Sequence, residues 1–168
     1  MTSPLEQKPD WVFRNARIID GSGSPSYLGE VAVTGEFITA IGPAGTITAI
    51  GRNEIDLEGA ALAPGFIDAH THDDRIVLDA PDMLPKISQG VTTVVVGNCG
   101  ISLAPVQFDG DPPPPMNLLG GQGSYQFPTF AAYAEAVNAT RPAINVAALV
   151  GHSALRLAVM SDISRKAT

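Results

Sequence analysis

A single cysteine, Cys99, stands among the 168 residues, so no intrachain disulfide can staple the fold and stability must come from a packed core. Basic residues are scarce too: ten Lys and Arg against seventeen Asp and Glu, a formal charge of -7. That balance excludes nucleic-acid binding through a basic surface. The acidic residues are dispersed rather than gathered in a tail, which fits a solvated acidic surface. No apolar run approaches the roughly 18 residues of a membrane span, and the longest, such as residues 143–150, are of strand length. The opening MTSPLEQKPD lacks the basic stretch and apolar core of a secretory leader. The expectation is a cytoplasmic protein with neither a membrane nor a nucleic-acid partner.

What the chain does contain is a 45% hydrophobic content, enough for one domain with a real core or for pieces of two. Residues 1–63 carry short apolar runs at 11–13, 16–19, 30–34, 37–41 and 54–57, several alternating with period two. Asp20-Gly21 and Thr34-Gly35-Glu36 punctuate them as turns, which predicts a small antiparallel β unit. From residue 64 the pattern changes. Strands are expected at 66–69, 91–96 and 144–150, with helices at 81–89 and 127–138 and another starting within 154–160. The second helix places Phe130, Tyr133, Ala134 and Val137 on one face, with Thr129 or Pro128 near its start. The β-branched run 91–96 reads as a strand buried on both faces of a parallel sheet, and the βαβ order predicts right-handed crossovers. Residues 109–123, rich in Pro and Gly, are expected to form an exposed loop. Residues 64–168 thus read as the first three units of a TIM-like (β/α)8 barrel, in which active sites gather at the C-terminal strand ends.

The residues with chemical capacity fall at those ends. In Phe66-Ile67-Asp68-Ala69-His70-Thr71-His72, alternation puts Asp68, His70 and His72 on one side, so two imidazoles converge at the end of the first strand. Neutral imidazoles are good ligands for zinc and similar ions, and the pair supplies half of a tetrahedral shell. Cys99, in Gly97-Asn98-Cys99-Gly100, follows the second strand; alone it reads as a small buried hydrophobe, but beside the histidines it becomes a candidate thiolate ligand. Asp68 either accepts an N–H from a ligand imidazole or bonds to local backbone. Asp73 and Asp74 organise the loop, with Asp73 within reach of the site. His152, past the third strand, is a candidate for lining a substrate pocket or a hydrogen-bonded structural histidine, and Arg75 and Arg156 are candidates for a substrate carboxylate. No phosphate loop, dinucleotide fingerprint or nucleophile elbow competes.

The strings PGFIDAHTHDD and KISQGVTTVVVGNCGISLAP together resemble the metal-dependent amidohydrolase superfamily, and within it the N-acyl-D-amino-acid deacylases, or D-aminoacylases. The resemblance runs from about Trp11 to the end, although members of that family are much longer. It implies a barrel preceded by a β-sandwich domain. It also implies one or two zinc ions held partly by His70, His72 and Cys99, and a small-molecule N-acyl-D-amino-acid substrate. The catalytic acid-base aspartate and two further histidines are implied beyond residue 168, on the remainder of the barrel chain. Two alternatives stand beside this: a cyclic-amide hydrolase of the dihydroorotase or hydantoinase kind, and an incompetent fragment serving as an interaction module.

Overall fold

The structure, a computed structural model, describes residues 8–160, 162 and 164–166; residues 1–7, where most of the leader reading falls, lie outside them. The chain divides into two compact units, Met1–Pro64 and Gly65–Thr168.

The first unit is one mixed sheet of five strands: β1 (Trp11–Ile18), β2 (Tyr27–Thr34), β3 (Phe37–Pro43), β4 (Asn53–Asp56) and β5 (Ala61–Leu62). Their order is β3-β2-β1-β4, with β5 also on β1. The β1–β2 and β2–β3 pairs are antiparallel, as the turn signals predict. β4 and β5, however, run parallel to β1, so the unit is not purely antiparallel. Topology explains this: β3 and β4 flank an antiparallel pair and point the same way, so residues 44–52 must cross over instead of turning back. The two runs expected at 11–13 and 16–19 form a single strand bent at Asn15, whose φ is 51°. At that bend β4 gives way to β5, and the Gly59 amide donates to the Asn15 carbonyl at 2.7 Å. Ala16, Ile18 and Val31 form the core of one face, with Phe13, Tyr27 and Leu62 packed against them.

Just before the bend, at Arg14, lies a charge cluster. The Arg14 guanidinium donates to the carbonyls of Ile47 at 2.6 Å and Ala49 at 2.9 Å. It also pairs with Glu54 at 2.9 Å and Glu30 at 3.2 Å. Glu30 is only 5% exposed and accepts the Ile47 amide at 3.1 Å. Although burial works against its charge, the Ile47 and Gly45 amides and the Arg14 guanidinium hold its carboxyl below the usual range.

The second unit is built on a parallel sheet of β6 (Phe66–Asp68), β7 (Val91–Val96) and β8 (Asn145–Ala148), with β7 central. Val94 and Val96 are fully buried, Thr93 and Val95 are half-buried and Thr92 is exposed, so β7 is not buried on both faces along its length. Phe66 and Ile67 of β6 are exposed as well. Of the helix expected at 81–89 only one turn forms, α2 (Leu84–Ile87), and a separate turn, α1 (Ile76–Asp79), precedes it. Between them Met83 takes a left-handed φ of 47° with its side chain buried. Pro81 and Pro85 each lack an amide donor, so a continuous ladder cannot form there. α3 (Phe130–Thr140) starts where Thr129 caps the Ala132 amide, and buries Tyr133 and Val137. α4 (His152–Val159) follows β8. The segment 109–123 is not simply exposed: Met116 and Leu119 are buried from a 3-10 turn, and the Tyr125 hydroxyl donates to the Met116 carbonyl. Its apolar residues outweigh the Pro and Gly around them.

Replacing Arg14 by Met leaves Glu30 buried without its cation, and we expect a loss of about 2 kcal/mol, read from the denaturant midpoint. Adding Glu30→Gln should recover part of that loss, because the uncompensated charge is what costs.

Candidate metal centre

Parallel pairing sets the C-terminal ends of β6, β7 and β8 along one edge. Phe66 pairs with Val91 and Asp68 with Val94, while Val96 pairs with Ala148. The segments leaving that edge carry His70 and His72 after β6, Cys99 after β7 and His152 after β8. The ligand atoms of His70, His72 and Cys99 all lie within 4.8 Å of one another. The two imidazole rings are 5.8 Å apart at 71° to each other. Two imidazole nitrogens and one sulfur at this spacing fit zinc, which favours that donor set. They leave room in the coordination shell for further ligands or water.

Backbone geometry fixes where Cys99 sits. Gly97 has a φ of 79°, and a Cβ there would lie 2.0 Å from the Leu149 carbonyl oxygen, so only glycine lets β7 turn against the end of β8. The Gly100 amide closes this turn onto the Gly97 carbonyl at 3.1 Å, and the Gly100 carbonyl accepts the Ser153 amide of α4 at 2.7 Å. Asn98, which sequence reasoning passed over, donates its side-chain amide to the Ala69 carbonyl at 2.8 Å, tying the cysteine turn to the histidine segment. The Thr71 amide reaches the Val95 carbonyl at 3.4 Å from the other direction.

The described strand ends at Asp68, and among the described contacts its carboxylate accepts no imidazole N–H. One carboxylate oxygen accepts the Lys86 ammonium at 2.6 Å and the other the His70 backbone amide at 3.3 Å. The Lys86 hydrogen bond holds this carboxyl below its ordinary range despite partial desolvation. Asp73 also faces Lys86, at 3.0 Å from its Oδ2, an ion pair without hydrogen-bond alignment. Asp74 is completely buried and neither carboxylate oxygen has a hydrogen-bond partner. Burial, with the Asp73 charge adding to it, pushes its carboxyl up to about 7. Its backbone carbonyl accepts the Tyr133 hydroxyl at 2.8 Å, which anchors the loop to α3.

His152 opens α4, exposed, and is not in the convergent trio. Arg75 pairs with Asp79 at 2.5 Å and, together with His72, Ile76 and Leu118, lines a cleft of about 380 Å³. Arg156 donates to the Arg165 carbonyl at 2.9 Å. Lys86 had no place in the sequence reading; a lysine within the apolar Leu84-Pro85-Lys86-Ile87 turn was the available signal.

The second unit is thus an α/β unit with a histidine and cysteine cluster, suited to holding a metal ion, at the C-terminal edge of its parallel sheet. The chain belongs to the Amidohydrolase family, whose model matches residues 53–167. It is 49% identical over 168 residues to the D-aminoacylase of Alcaligenes xylosoxydans xylosoxydans, covering 100% of this chain and 34% of that protein. An N-acyl-D-aspartate deacylase from the same organism is 49% identical over 99% of this chain and 33% of its own length. Among solved structures, the N-acyl-D-glutamate deacylase of Bordetella bronchiseptica, complexed with zinc and a phosphonate inhibitor, superposes with a TM-score of 0.80 at 46% identity, covering 93% of this chain and 32% of that one. The chain thus spans about one third of the length of these relatives. No described helix is long and apolar enough to cross a membrane.

Gly97→Ala should cost about 2 kcal/mol of stability and displace Cys99, weakening divalent-metal binding. Gly121→Ala, where an added Cβ meets nothing within 4 Å, should do neither. Thermal unfolding and metal titration of both variants check this.

Proposed function

We propose that this chain forms the N-terminal part of a zinc-dependent N-acyl-D-amino-acid deacylase, contributing the first three strands of a (β/α)8 barrel and part of an accompanying β-sandwich. The observation that carries the reading is the convergence of His70, His72 and Cys99 within 4.8 Å, on a chain 49% identical to a D-aminoacylase. The zinc-bound structure of the N-acyl-D-glutamate deacylase supports the choice of metal.

In this reading His70 and His72 each present a neutral imidazole nitrogen and Cys99 a thiolate. When bound, zinc supplies Lewis acidity toward the amide carbonyl and toward water. The Asn98–Ala69 hydrogen bond and the Gly97 turn hold the sulfur against the imidazoles before metal arrives, so little conformational entropy is lost on binding. The cleft reached from His72, walled by Ile76 and Leu118 with Arg75 at its side, is a place for part of an N-acyl-amino-acid substrate. The proton-transferring aspartate, the remaining ligands and the second face of the barrel are assigned to the rest of the enzyme, the chain's covalent partner. A thiolate in the donor set favours the linear-amide deacylases over the dihydroorotase and hydantoinase branch, which relies on a carboxylated lysine.

The test is Cys99→Ala in the complete enzyme. Zinc content should fall at least tenfold in affinity, and hydrolysis of N-acetyl-D-amino acids should fall with it. Wild-type zinc content and rate in the variant would remove Cys99 from the site. Hydrolysis of a hydantoin but not of N-acetyl-D-amino acids would shift the assignment to cyclic amides, and a full-length protein that turns over neither would leave an interaction role.

A further inference from the structure

Outside the trio, Lys86 is tied to three side chains at once. Its ammonium lies 2.6 Å from Asp68 Oδ2, 3.2 Å from Thr71 Oγ1 and 3.0 Å from Asp73 Oδ2. An ammonium carries three donors, and here three oxygens converge on it. Those oxygens belong to residues that interleave with the two candidate ligands: 68, 71 and 73 against 70 and 72. Asp68 passes the restraint on directly, since its second oxygen accepts the His70 backbone amide at 3.3 Å. Thr71, lying between the histidines, is only 8% exposed. The lysine itself comes from α2, an element separate in sequence, so it ties the histidine segment to the layer beneath it.

Left to itself, this segment has few restraints. β6 is three residues long, and beyond it the backbone is held at Ala69 by the Asn98 side chain, at Thr71 by a 3.4 Å bond to the Val95 carbonyl and at Asp74 by Tyr133, none of which fixes the Asp68 and Asp73 side chains that flank the histidines. Such a segment would sample many backbone states, and each ligand must be ordered before it can hold a metal.

We propose that Lys86 is a positioning residue for the metal centre, fixing the backbone that carries His70 and His72 through Asp68, Thr71 and Asp73. The proposal rests on the metal-centre reading above but assigns Lys86 no contact with metal or substrate. A planar, bulkier guanidinium cannot reproduce three convergent contacts from one point, so lysine is the side chain this arrangement requires.

The experiment compares wild type, Lys86→Met and Asp68→Asn in the complete enzyme. Zinc affinity is measured by chelator competition, and the visible spectrum of the cobalt(II)-loaded protein reports ligand geometry. Arg14→Met, in the other unit, serves as a variant that lowers stability without touching the site. Lys86→Met should weaken zinc binding about 10- to 100-fold and alter the cobalt bands, while Arg14→Met leaves both unchanged under conditions where it is folded. A folded Lys86→Met protein with wild-type zinc affinity and cobalt spectrum overturns the proposal and leaves the metal centre standing. Should Lys86→Met not fold, Asp68→Asn decides: weaker zinc binding sustains the positioning role, and unchanged binding ends it. A wild type that binds neither zinc nor cobalt removes the metal reading and this proposal together.

Discussion

Parallel pairing of β6, β7 and β8 is the constraint on which the second unit depends. In a parallel sheet every strand delivers its C-terminal end to the same edge, so three segments far apart in sequence must emerge side by side. The register here, with Asp68 on Val94 and Val96 on Ala148, brings the segments after β6 and β7 level with each other. From that one geometric fact, His70, His72 and Cys99 converge without any of them being sequence neighbours of the whole set. The first unit is a separate sheet, stabilised by its own apolar face and by the Arg14–Glu30 cluster.

Convergence alone does not make a rigid site, since three-residue strands and loop backbones are mobile unless held. The holding is done by polar contacts at the edge: Asn98 to the Ala69 carbonyl, Thr71 to Val95, and Gly100 to Ser153. Glycine enters for a steric reason at Gly97, where no side chain fits against Leu149. The GNCG string is therefore as much a packing motif as a chemical one. Its glycines place the sulfur, and its asparagine fastens the turn to the neighbouring strand.

The strands around the site and the trio itself were legible in the sequence because each rests on local pattern. Residues 91–96 are a β-branched run that became β7 with those bounds, and Thr129 before an amphipathic stretch announced α3. His70 and His72 show themselves by spacing. What could not be read depends on contacts between elements. A period-3.6 pattern suggested a helix over 81–89, whereas the left-handed Met83 and Pro85 shorten it to the single turn 84–87. Hydropathy marks β4 and β5 as strands but says nothing of their direction, which is set by the crossover from β3. Met116 and Leu119 sit in a stretch whose composition reads as loop, and only the core they fill reveals their burial.

The sharpest case is the trio of carboxylates at 68, 73 and 74. Sequence offers three aspartates near two histidines and no means of ranking them. The fold assigns each a different environment. Asp68 lies at the sheet edge, where an ammonium and a backbone amide favour its charge. Asp73 meets the same ammonium through an ion pair. Asp74, its immediate neighbour, is fully buried, and burial outweighs the nearby backbone amides of Gly97 and Leu103, so its carboxyl rises to about 7. Adjacent residues on an irregular segment face opposite ways, and that alone separates a charge shared with Lys86 from one suppressed by the interior. Because Lys86 engages Asp68 and Asp73 and burial withdraws Asp74, the imidazoles and the thiol are the donors left converging at this edge. The selection is made by the surroundings of each aspartate and not by its identity.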